Sequence, residues 1–214
     1  MRALLAALAL LAGLAAAPLA AQVPEDGTIA FTVTRNGREI GEHVLSFRRV
    51  GDLTEVEIAI DLRVNIAFIP VFRYIHRNRE IWQGGRLASI ETRTDDDGTP
   101  HTVSARLRGE FLEIRSSAGN LRLPADTMPT SYWDRRVLKQ SQLLNTQTGE
   151  LVQVQVSEVG PETVRVGGRE VPSVRYRIDG DLKTDIWYAV HDNTWTGLRF
   201  ATKDGSVIQY ERRQ

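Results

Sequence analysis

An unbroken alternation of side-chain character between Val56 and Phe68 constrains the fold more than any other feature of this sequence. On a helix, steps of about 100° per residue would scatter the apolar side chains around the whole cylinder, whereas a strand places them on one face. At ~3.3 Å per residue, a strand of this length extends on the order of 40 Å, which favours a large curved sheet or a barrel wall. The apolar positions are Val56, Ile58, Ile60, Leu62, Val64, Ile66 and Phe68.

Turn-forming residue pairs divide most of the remaining chain at the spacing of β-hairpins. Because hairpins join antiparallel neighbours, this spacing predicts an all-β protein with about a dozen antiparallel strands. An open flat sheet of that width is unusual, so we expect a large curved sheet that forms a barrel, a half-barrel or a two-sheet sandwich. The turn pairs are Asn36-Gly37, Gly51-Asp52, Gly84-Gly85, Asp97-Gly98, Gly119-Asn120, Gly160-Pro161, Gly167-Gly168, Asp179-Gly180, Asp192-Asn193 and Asp204-Gly205.

The segment from Leu123 to Gln147 departs from the strand pattern. Pro124 and Pro129 would interrupt a hydrogen-bonded ladder, and Ser131-Tyr-Trp-Asp134 matches the capping-box start of a helix. We therefore expect one short helix near residues 132–140. This helix would act as a plug, a lid or a crossover, and a crossover is favoured because large antiparallel sheets commonly need a covered edge.

The first residues have the pattern of a secretory signal peptide. Arg2 precedes a Leu/Ala run that extends from Ala3 to Ala17, and small residues lead to the expected cleavage site after Ala21. The run is shorter than the ~20 residues that span a bilayer, so it predicts a cleaved signal at residues 1–21 and no transmembrane anchor. We expect the mature chain, residues 22–214, to form a single antiparallel β domain that is located in the periplasm or secreted.

Composition argues against several classes of function and gives no sign of a cofactor. The chain has no cysteine, so it has neither disulfides nor a cysteine nucleophile. Without Arg2, 26 basic residues face 27 acidic ones, and this balance lacks the basic excess typical of nucleic-acid-binding proteins. The four histidines stand too far apart in sequence for a preformed metal site. We expect no metal, no cofactor and no nucleic-acid partner.

One predicted strand, from Phe72 to Trp82, carries aromatic and titratable side chains on the same face. In one interpretation this face lines a cavity in which aromatic rings hold an apolar or sugar-like ligand, while His76 or Glu80 orients the ligand or moves a proton. In the other, favoured by the usual role of polar groups among strands, these side chains form a structural network. The candidate ligand-binding residues are Phe72, Tyr74, His76, Glu80, Trp82 and, near the predicted helix, Trp133.

Two further groups of residues are interpreted as structural. Asp95-Asp96-Asp97-Gly98 lacks the alternating ligands of an EF-hand and is typical of a solvated hairpin turn. An aromatic group near the C-terminus would form a stacking platform for a ligand or, more typically, part of the core. This group comprises Trp187, Tyr188, Trp195, Phe200 and Tyr210.

Several short stretches resemble a group of exported proteobacterial β proteins that are classed only as domains of unknown function. They include Asn36-Gly-Arg-Glu-Ile-Gly41, the stretch from His76 to Trp82, Thr130-Ser-Tyr-Trp133 and Tyr176-Arg-Ile-Asp-Gly-Asp-Leu182. The resemblance spans nearly the entire mature chain and implies export and a β architecture, but it implies no catalytic residue. A more distant likeness to lipoprotein-carrier half-barrels concerns the fold alone.

Three hypotheses for function are consistent with these patterns. The leading one is a non-enzymatic periplasmic protein whose curved sheet shelters a groove for a lipid-like or other amphipathic molecule, or for an envelope protein. The second is a hydrolase or isomerase that uses His76 and Glu80 as acid and base, and the third is a structural envelope subunit. A cleft that connects His76 and Glu80 to solvent would favour the enzyme, whereas tight packing of both sheet faces would favour the structural subunit.

Overall fold

The computed structural model of the protein describes Pro24, residues 27–66 and residues 68–214. The expected signal peptide at residues 1–21 lies outside the described residues. Within the described part, 15 strands form one sheet, and the only helix is a short 3-10 helix at Arg135–Lys139. No helix in this part has the length and apolar character needed to cross a bilayer.

The first half of the chain forms a continuous antiparallel meander, in which each strand pairs with the next. Its strands are β1 Thr28–Arg35, β2 Arg38–Val50, β3 Leu53–Ile66, β4 Ile69–Gln83, β5 Arg86–Asp96, β6 Thr99–Arg108, β7 Phe111–Ser116 and β8 Gly119–Pro124. The turn between β1 and β2 shows how the sequence builds these hairpins. Asn36 and Gly37 have φ angles of 50° and 76°, as required by the mirror-image turns that fit the twist of paired strands.

The second half of the chain contributes seven strands. They are β9 Met128–Pro129, β10 Gln142–Leu144, β11 Leu151–Val166, β12 Arg169–Gly180, β13 Thr184–Ala189, β14 Trp195–Ala201 and β15 Val207–Arg212. The strands from β10 to β15 form a second antiparallel meander, and β9 pairs with β10 in parallel. Because β1 pairs with β15, the first and last strands join the two meanders in the middle of the sheet.

The two edges of the sheet lie close together. β8 is at one edge and β9 at the other, yet only residues 125–127 separate them in the chain. Three intervening residues allow at most about 15 Å between the Cα atoms of Pro124 and Met128, since consecutive Cα atoms lie about 3.8 Å apart. The sheet therefore curls into an open barrel, and the predicted all-β fold with a large curved sheet is confirmed.

The alternation of buried and exposed side chains predicted for β3 is confirmed, except at the end of the strand. Val56 and Leu62 are buried, whereas Glu57 and Arg63 are exposed, as expected for a wall with one inner and one outer face. The prediction that Phe68 shares the buried face is wrong. β3 ends where Ile66 pairs with Ile69, so Phe68 lies in the connecting turn, with a φ angle of 71° and a fully exposed side chain.

A bulge replaces the turn predicted at Gly160-Pro161. The pair lies within β11, where the pairing with β12 shifts by one residue between Glu158 and Gly160. A bulge of this kind bends a strand and increases its twist. As a result, residues 160–172 form an arm that crosses the outer face of the sheet, and the Gly167 N–H donates a 3.1 Å hydrogen bond to the carbonyl of Arg212 near the C-terminus.

The segment between β9 and β10, residues 130–141, is a plug inside the barrel. On one side, the Trp133 ring lies 5.3 Å from the rings of Phe47 and Trp82, on β2 and β4. On the other side, the Tyr188 hydroxyl on β13 donates a 2.6 Å hydrogen bond to the carbonyl of Tyr132. Because the segment contacts both halves of the inner wall, it packs inside the barrel as a plug. Because it joins the parallel strands β9 and β10, it is also a crossover connection, as the sequence favoured.

The helix of the plug is shorter than predicted and begins later. It spans Arg135–Lys139, and its N-cap is Asp134 instead of Ser131, since the Asp134 carboxylate accepts a 2.9 Å hydrogen bond from the Arg136 N–H. The backbone explains the difference. Tyr132 has a φ angle of 62°, which is incompatible with a right-handed helix that starts at this residue.

The geometry at Gly41 shows how closely β2 and β3 approach each other next to the bulge between β1 and β2. A Cβ atom added to Gly41 would lie 1.9 Å from the Asp61 carbonyl oxygen, and the φ angle is 147°. We expect Gly41→Ala to lower the free energy of unfolding by about 3 kcal/mol or more, because backbone strain and a backbone clash act together. Urea denaturation measures this change.

Gly205→Ala is the matched control for backbone strain alone. Gly205 also has a positive φ angle, of 79°, but an added Cβ atom would have no neighbour within 4 Å. This substitution should cost only about 1 kcal/mol. Equal losses at the two glycines would contradict the close approach of β2 and β3.

Candidate functional site

Glu80 connects the barrel wall to the plug. Its side chain is 0% exposed on the inner face of β4. Oε2 accepts hydrogen bonds from the indole N–H groups of Trp82, at 2.8 Å, and Trp133, at 3.1 Å, while Oε1 accepts one from the Asn78 amide at 2.9 Å. The structure therefore brings together three of the predicted site residues, Glu80, Trp82 and Trp133, around one buried carboxyl group.

Burial dominates the electrostatics of this group. It raises the pKa of Glu80 above its ordinary value, because a carboxylate loses its hydration in the interior. Hydrogen bonds from Trp133, Trp82, Asn78 and Ser131 act in the opposite direction, since they stabilise the charged form. All of these donors come from the wall or the plug, so the group has a structural role in the described geometry.

Tyr74 and His76 form a second polar group further along β4. The two rings stack with centroids 6.3 Å apart. The His76 Nδ1 atom lies 2.8 Å from the Thr94 hydroxyl, and the Tyr74 hydroxyl donates a 3.2 Å hydrogen bond to Gln147 in the loop between β10 and β11. Burial and the charge of Arg77 lower the pKa of His76 to about 4, so the ring is neutral at physiological pH.

His43 lies in an aromatic cage on the inner face of β2. The rings of Phe31, Trp195 and Tyr210 surround it, with centroids 5.5 to 6.0 Å from the imidazole. Neither ring nitrogen has a hydrogen-bond partner among the described residues. Burial, assisted by His76, lowers the pKa of His43 to about 3. Sequence reasoning did not single out this residue, since nothing in its neighbours along the chain distinguishes it from other strand histidines.

The structure does not gather all six predicted site residues into one pocket. Phe72 and Trp82 are ten positions apart on β4, which corresponds to about 33 Å along the strand. Phe72 is half-exposed near the end of the hairpin, while Glu80 and His76 are buried in the interior, at 0% and 2% exposure. No described cleft connects His76 and Glu80 to solvent. Ligand binding by these six residues stays a prediction.

A separate cleft lies on the outer face of the barrel. The outer groove, of about 600 Å³, runs between the arm and the outer face of β13, β14 and β15. Val164 on the arm and Trp187 on β13 form its apolar surfaces. Both side chains pack close to Gly197, because a Cβ atom there would lie at van der Waals contact, 3.7 Å from the Trp187 ring and 3.9 Å from Val164. The charged side chains that line the groove are Glu162, Arg165, Arg199, Glu211, Arg212 and Arg213.

A network of charges holds Trp187 in place beneath the groove. Its indole N–H donates a 2.7 Å hydrogen bond to Glu162, and the guanidinium groups of Arg175 and Arg199 lie 5.4 and 5.8 Å from its ring. The hydrogen bond from Trp187 lowers the pKa of Glu162. Burial alone would raise the pKa of Asp185, but hydrogen bonds from arginine side chains outweigh it and lower the pKa. Both carboxylates are therefore ionised at neutral pH.

The sequence revealed only part of the outer groove. The C-terminal aromatic group was interpreted mainly as core, and Tyr188 and Trp195 are indeed fully buried. Trp187 is also largely buried, at 9% exposure, but it alternates with Tyr188 and so lies on the outer face of the wall, a signal that the sequence did contain. Val164 and Arg165 reach the groove only because β11 bends at its bulge. No group of three or more metal-ligating side chains occurs among the residues described.

Fold and site define an all-β, barrel-like protein with a filled interior and an outer groove. Residues 31–213 match the family model described as Domain of unknown function (DUF6134), so the chain belongs to this family. The resemblance to an all-β family of unknown function is thereby confirmed. No curated protein matches the chain.

A solved structure supports the same architecture. The crystal structure of a beta-barrel-like protein of Domain of Unknown Function DUF1849 from Brucella abortus aligns with a TM-score of 0.60 and 11% sequence identity. The alignment covers 86% of this chain and 94% of that one. At this identity the likeness concerns the fold alone.

Substitutions at Glu80 test its role between wall and plug. Glu80→Ala should lower the free energy of unfolding by about 3 kcal/mol or more, because it leaves two buried indole N–H groups without an acceptor and opens a cavity. Glu80→Gln is the matched control, since its amide oxygen can accept from both indoles. Rotation of the Asn78 amide would offer the new NH₂ group the Asn78 Oδ1 atom, which lacks a partner among the described residues.

The pH dependence provides a second measurement on the same variants. Because the folded-state pKa of Glu80 is raised above 4.5, the folded state binds more protons than the unfolded state as the pH rises from 4.5. The wild type should therefore lose stability relative to Glu80→Gln over this range. Urea denaturation at several pH values measures the difference, and parallel profiles would contradict the raised pKa.

His43→Leu should remove an opposite pH dependence. Between pH 6.5 and about 3, the unfolded state binds a proton that the folded state excludes from His43, so the wild type loses stability as the pH falls. The maximal slope is about 1.4 kcal/mol per pH unit. We expect the variant to be at least as stable as the wild type at pH 7, because the ring makes no hydrogen bond, and to have the shallower profile in acid. An unchanged slope in thermal or urea denaturation would contradict this.

Proposed function

We propose that this protein is exported and acts in the periplasm as a non-enzymatic binding protein, whose outer groove holds an amphipathic molecule with an anionic group. The observation that carries the proposal is the groove itself, which combines an apolar surface around Trp187 with an arginine-rich rim. Its volume of about 600 Å³ lies within the range of ~300 to 1,000 Å³ that small-molecule sites occupy. The signal-like pattern of residues 1–21 supports export.

The apolar part of the ligand would lie against Trp187. Its indole ring is fixed by the hydrogen bond to Glu162 and by the nearby guanidinium groups of Arg175 and Arg199, so ordering it costs little on binding. Val164 on the arm and the accessible edge of the Trp187 ring both line the groove. An acyl chain or a similar apolar group therefore fits between the arm and the sheet.

The anionic part of the ligand would face Arg165 and Arg199. Arg165 is exposed and has no ion-pair partner among the described residues. Arg199 lies 3.4 Å from Asp185, which already receives a closer contact, of 2.7 Å, from Arg175. Of the three arginines around Asp185, Arg199 makes the longest contact, and its guanidinium group is well suited to a carboxylate or phosphate.

A dansyl-labelled fatty acid tests the outer groove directly. We expect saturable binding to the purified protein, and Arg165→Gln should weaken it about fivefold to tenfold, as expected for the loss of one charge-assisted hydrogen bond. Fluorescence titration measures the affinity. A dansyl-labelled fatty alcohol, which has no charge, should bind the wild type and the variant equally.

Arg115→Gln is the matched control. Arg115 is an exposed arginine on β7, in the other half of the sheet from the groove. This variant should bind the fatty acid like the wild type. The proposal fails if the probe does not saturate, or if the two arginine variants weaken binding to the same extent.

A further inference from the structure

A part of the β3–β4 hairpin projects from the end of the barrel. The pairing of β2 with β3 stops at Leu62, and the pairing of β5 with β4 stops at Tyr74. β3 and β4 nevertheless continue to pair with each other as far as Ile66 and Ile69. Four residues of strand correspond to about 13 Å. A two-stranded tip therefore extends about this far beyond the last residues that pair with the neighbouring strands, although β2 itself continues to Arg38.

This projecting tip is the most apolar exposed surface in the described part of the chain. Phe68 is 101% exposed, Ile69 65% and Val71 45%, and the first two exceed every other exposed large hydrophobic side chain described. The remaining exposed hydrophobic residues are distributed over six other sites. Single exposed apolar residues are common, but a cluster on one projecting turn indicates a contact surface.

Two arginines stand directly behind the apolar tip. Arg63 and Arg73 face each other across the strand pair, and both are exposed. Arg63 has no hydrogen-bond or ion-pair partner among the described residues, while Arg73 lies 3.2 Å from Asp95. The sequence from Leu62 to Ile75 contains no acidic residue, and the acidic groups beside it belong to the end of β5 and the β5–β6 turn, where the Arg73 N–H also donates a 3.2 Å hydrogen bond to Asp97. Like charges directly opposite each other on a sheet are unfavourable, so a partner that neutralises Arg63 would stabilise this arrangement.

We infer that the projecting tip inserts into the surface of an anionic lipid bilayer. Phe68, Ile69 and Val71 would enter the boundary between headgroups and acyl chains, as apolar faces of interfacial segments do. Arg63 and Arg73 would remain at the level of the phosphates, because long cationic side chains keep their charged ends in the polar layer. This inference does not depend on the outer groove, which lies in another part of the sheet.

Flotation with lipid vesicles tests the inference. The purified protein should bind vesicles of equimolar phosphatidylglycerol and phosphatidylcholine more tightly than vesicles of phosphatidylcholine alone. The double variant Phe68→Ser/Ile69→Ser should lower the partition coefficient at least about tenfold, because it removes the apolar groups that insert. Arg63→Gln and Arg73→Gln should each lower binding to the anionic vesicles about fivefold and leave the weaker binding to phosphatidylcholine unchanged.

Val190→Ser/Val207→Ser is the matched control, since it removes two exposed apolar side chains elsewhere on the protein. This variant should bind like the wild type. The cysteine-free chain also allows a single label: an environment-sensitive fluorophore on Phe68→Cys should shift to the blue on anionic vesicles, whereas the same label on Val207→Cys should not.

Three results would overturn the inference. The first is the absence of binding to either vesicle, and the second is full binding by the Phe68→Ser/Ile69→Ser variant. The third is a dimer in sedimentation velocity that dissociates in this variant while the wild type ignores vesicles, because the tip would then be a contact between two copies of the chain.

Discussion

The interior of this barrel depends on the buried contact between Glu80 and Trp133. A wall of 15 strands encloses more space than its own inward side chains fill, since barrels of about eight strands are already packed by theirs. In this chain the segment between β9 and β10 runs through the interior and fills part of this space. The Glu80 carboxylate accepts the indole N–H groups of Trp133 and Trp82, so one group fixes the plug to the wall.

Filling the interior moves the open surfaces to the outside. From the sequence, the aromatic and polar side chains of β4 were candidates for a ligand site. In the structure, Glu80 and Trp82 instead contact Trp133 of the plug. The outer groove exists because the bulge at Gly160 turns the arm over β13, β14 and β15. Two irregularities in otherwise regular strands, this bulge and the projecting tip of β3 and β4, thus create the surfaces on which the functional proposals rest.

The sheet was predictable from sequence because apolar and polar side chains alternate along single strands. The buried site around Glu80 was not predictable, because it depends on contacts between residues far apart in the chain. The periodicity from Val56 to Val64 and turn pairs such as Asn36-Gly37 depend on neighbouring residues only, so they correctly indicated a large antiparallel curved sheet. The plug was less predictable. The sequence favoured a crossover for this segment, but no local pattern showed that the segment would pack in the interior. Glu80 and Trp133 are 53 positions apart, and no local pattern shows that they meet.

The outer groove was hidden for a related reason. Val164 and Trp187 contact the same space only after β11 bends, and Gly160-Pro161 resembles a turn as much as a bulge. By contrast, the outward direction of Trp187 was available from its alternation with the buried Tyr188. The sequence is sufficient to predict the direction of a side chain that is set by its own strand. It is not sufficient where the position of a side chain depends on a bend in another strand.

The pairing of β1 with β15 has a consequence for the order in which the molecule can form. Each meander is built from local hairpins, which can fold early, but their junction needs the last strand of the chain. Until that strand has paired, β1 presents an unprotected edge in what will become the centre of the sheet, and such edges recruit other chains. A premature stop before Val207 would therefore leave two half-walls prone to aggregation, although it deletes only eight residues.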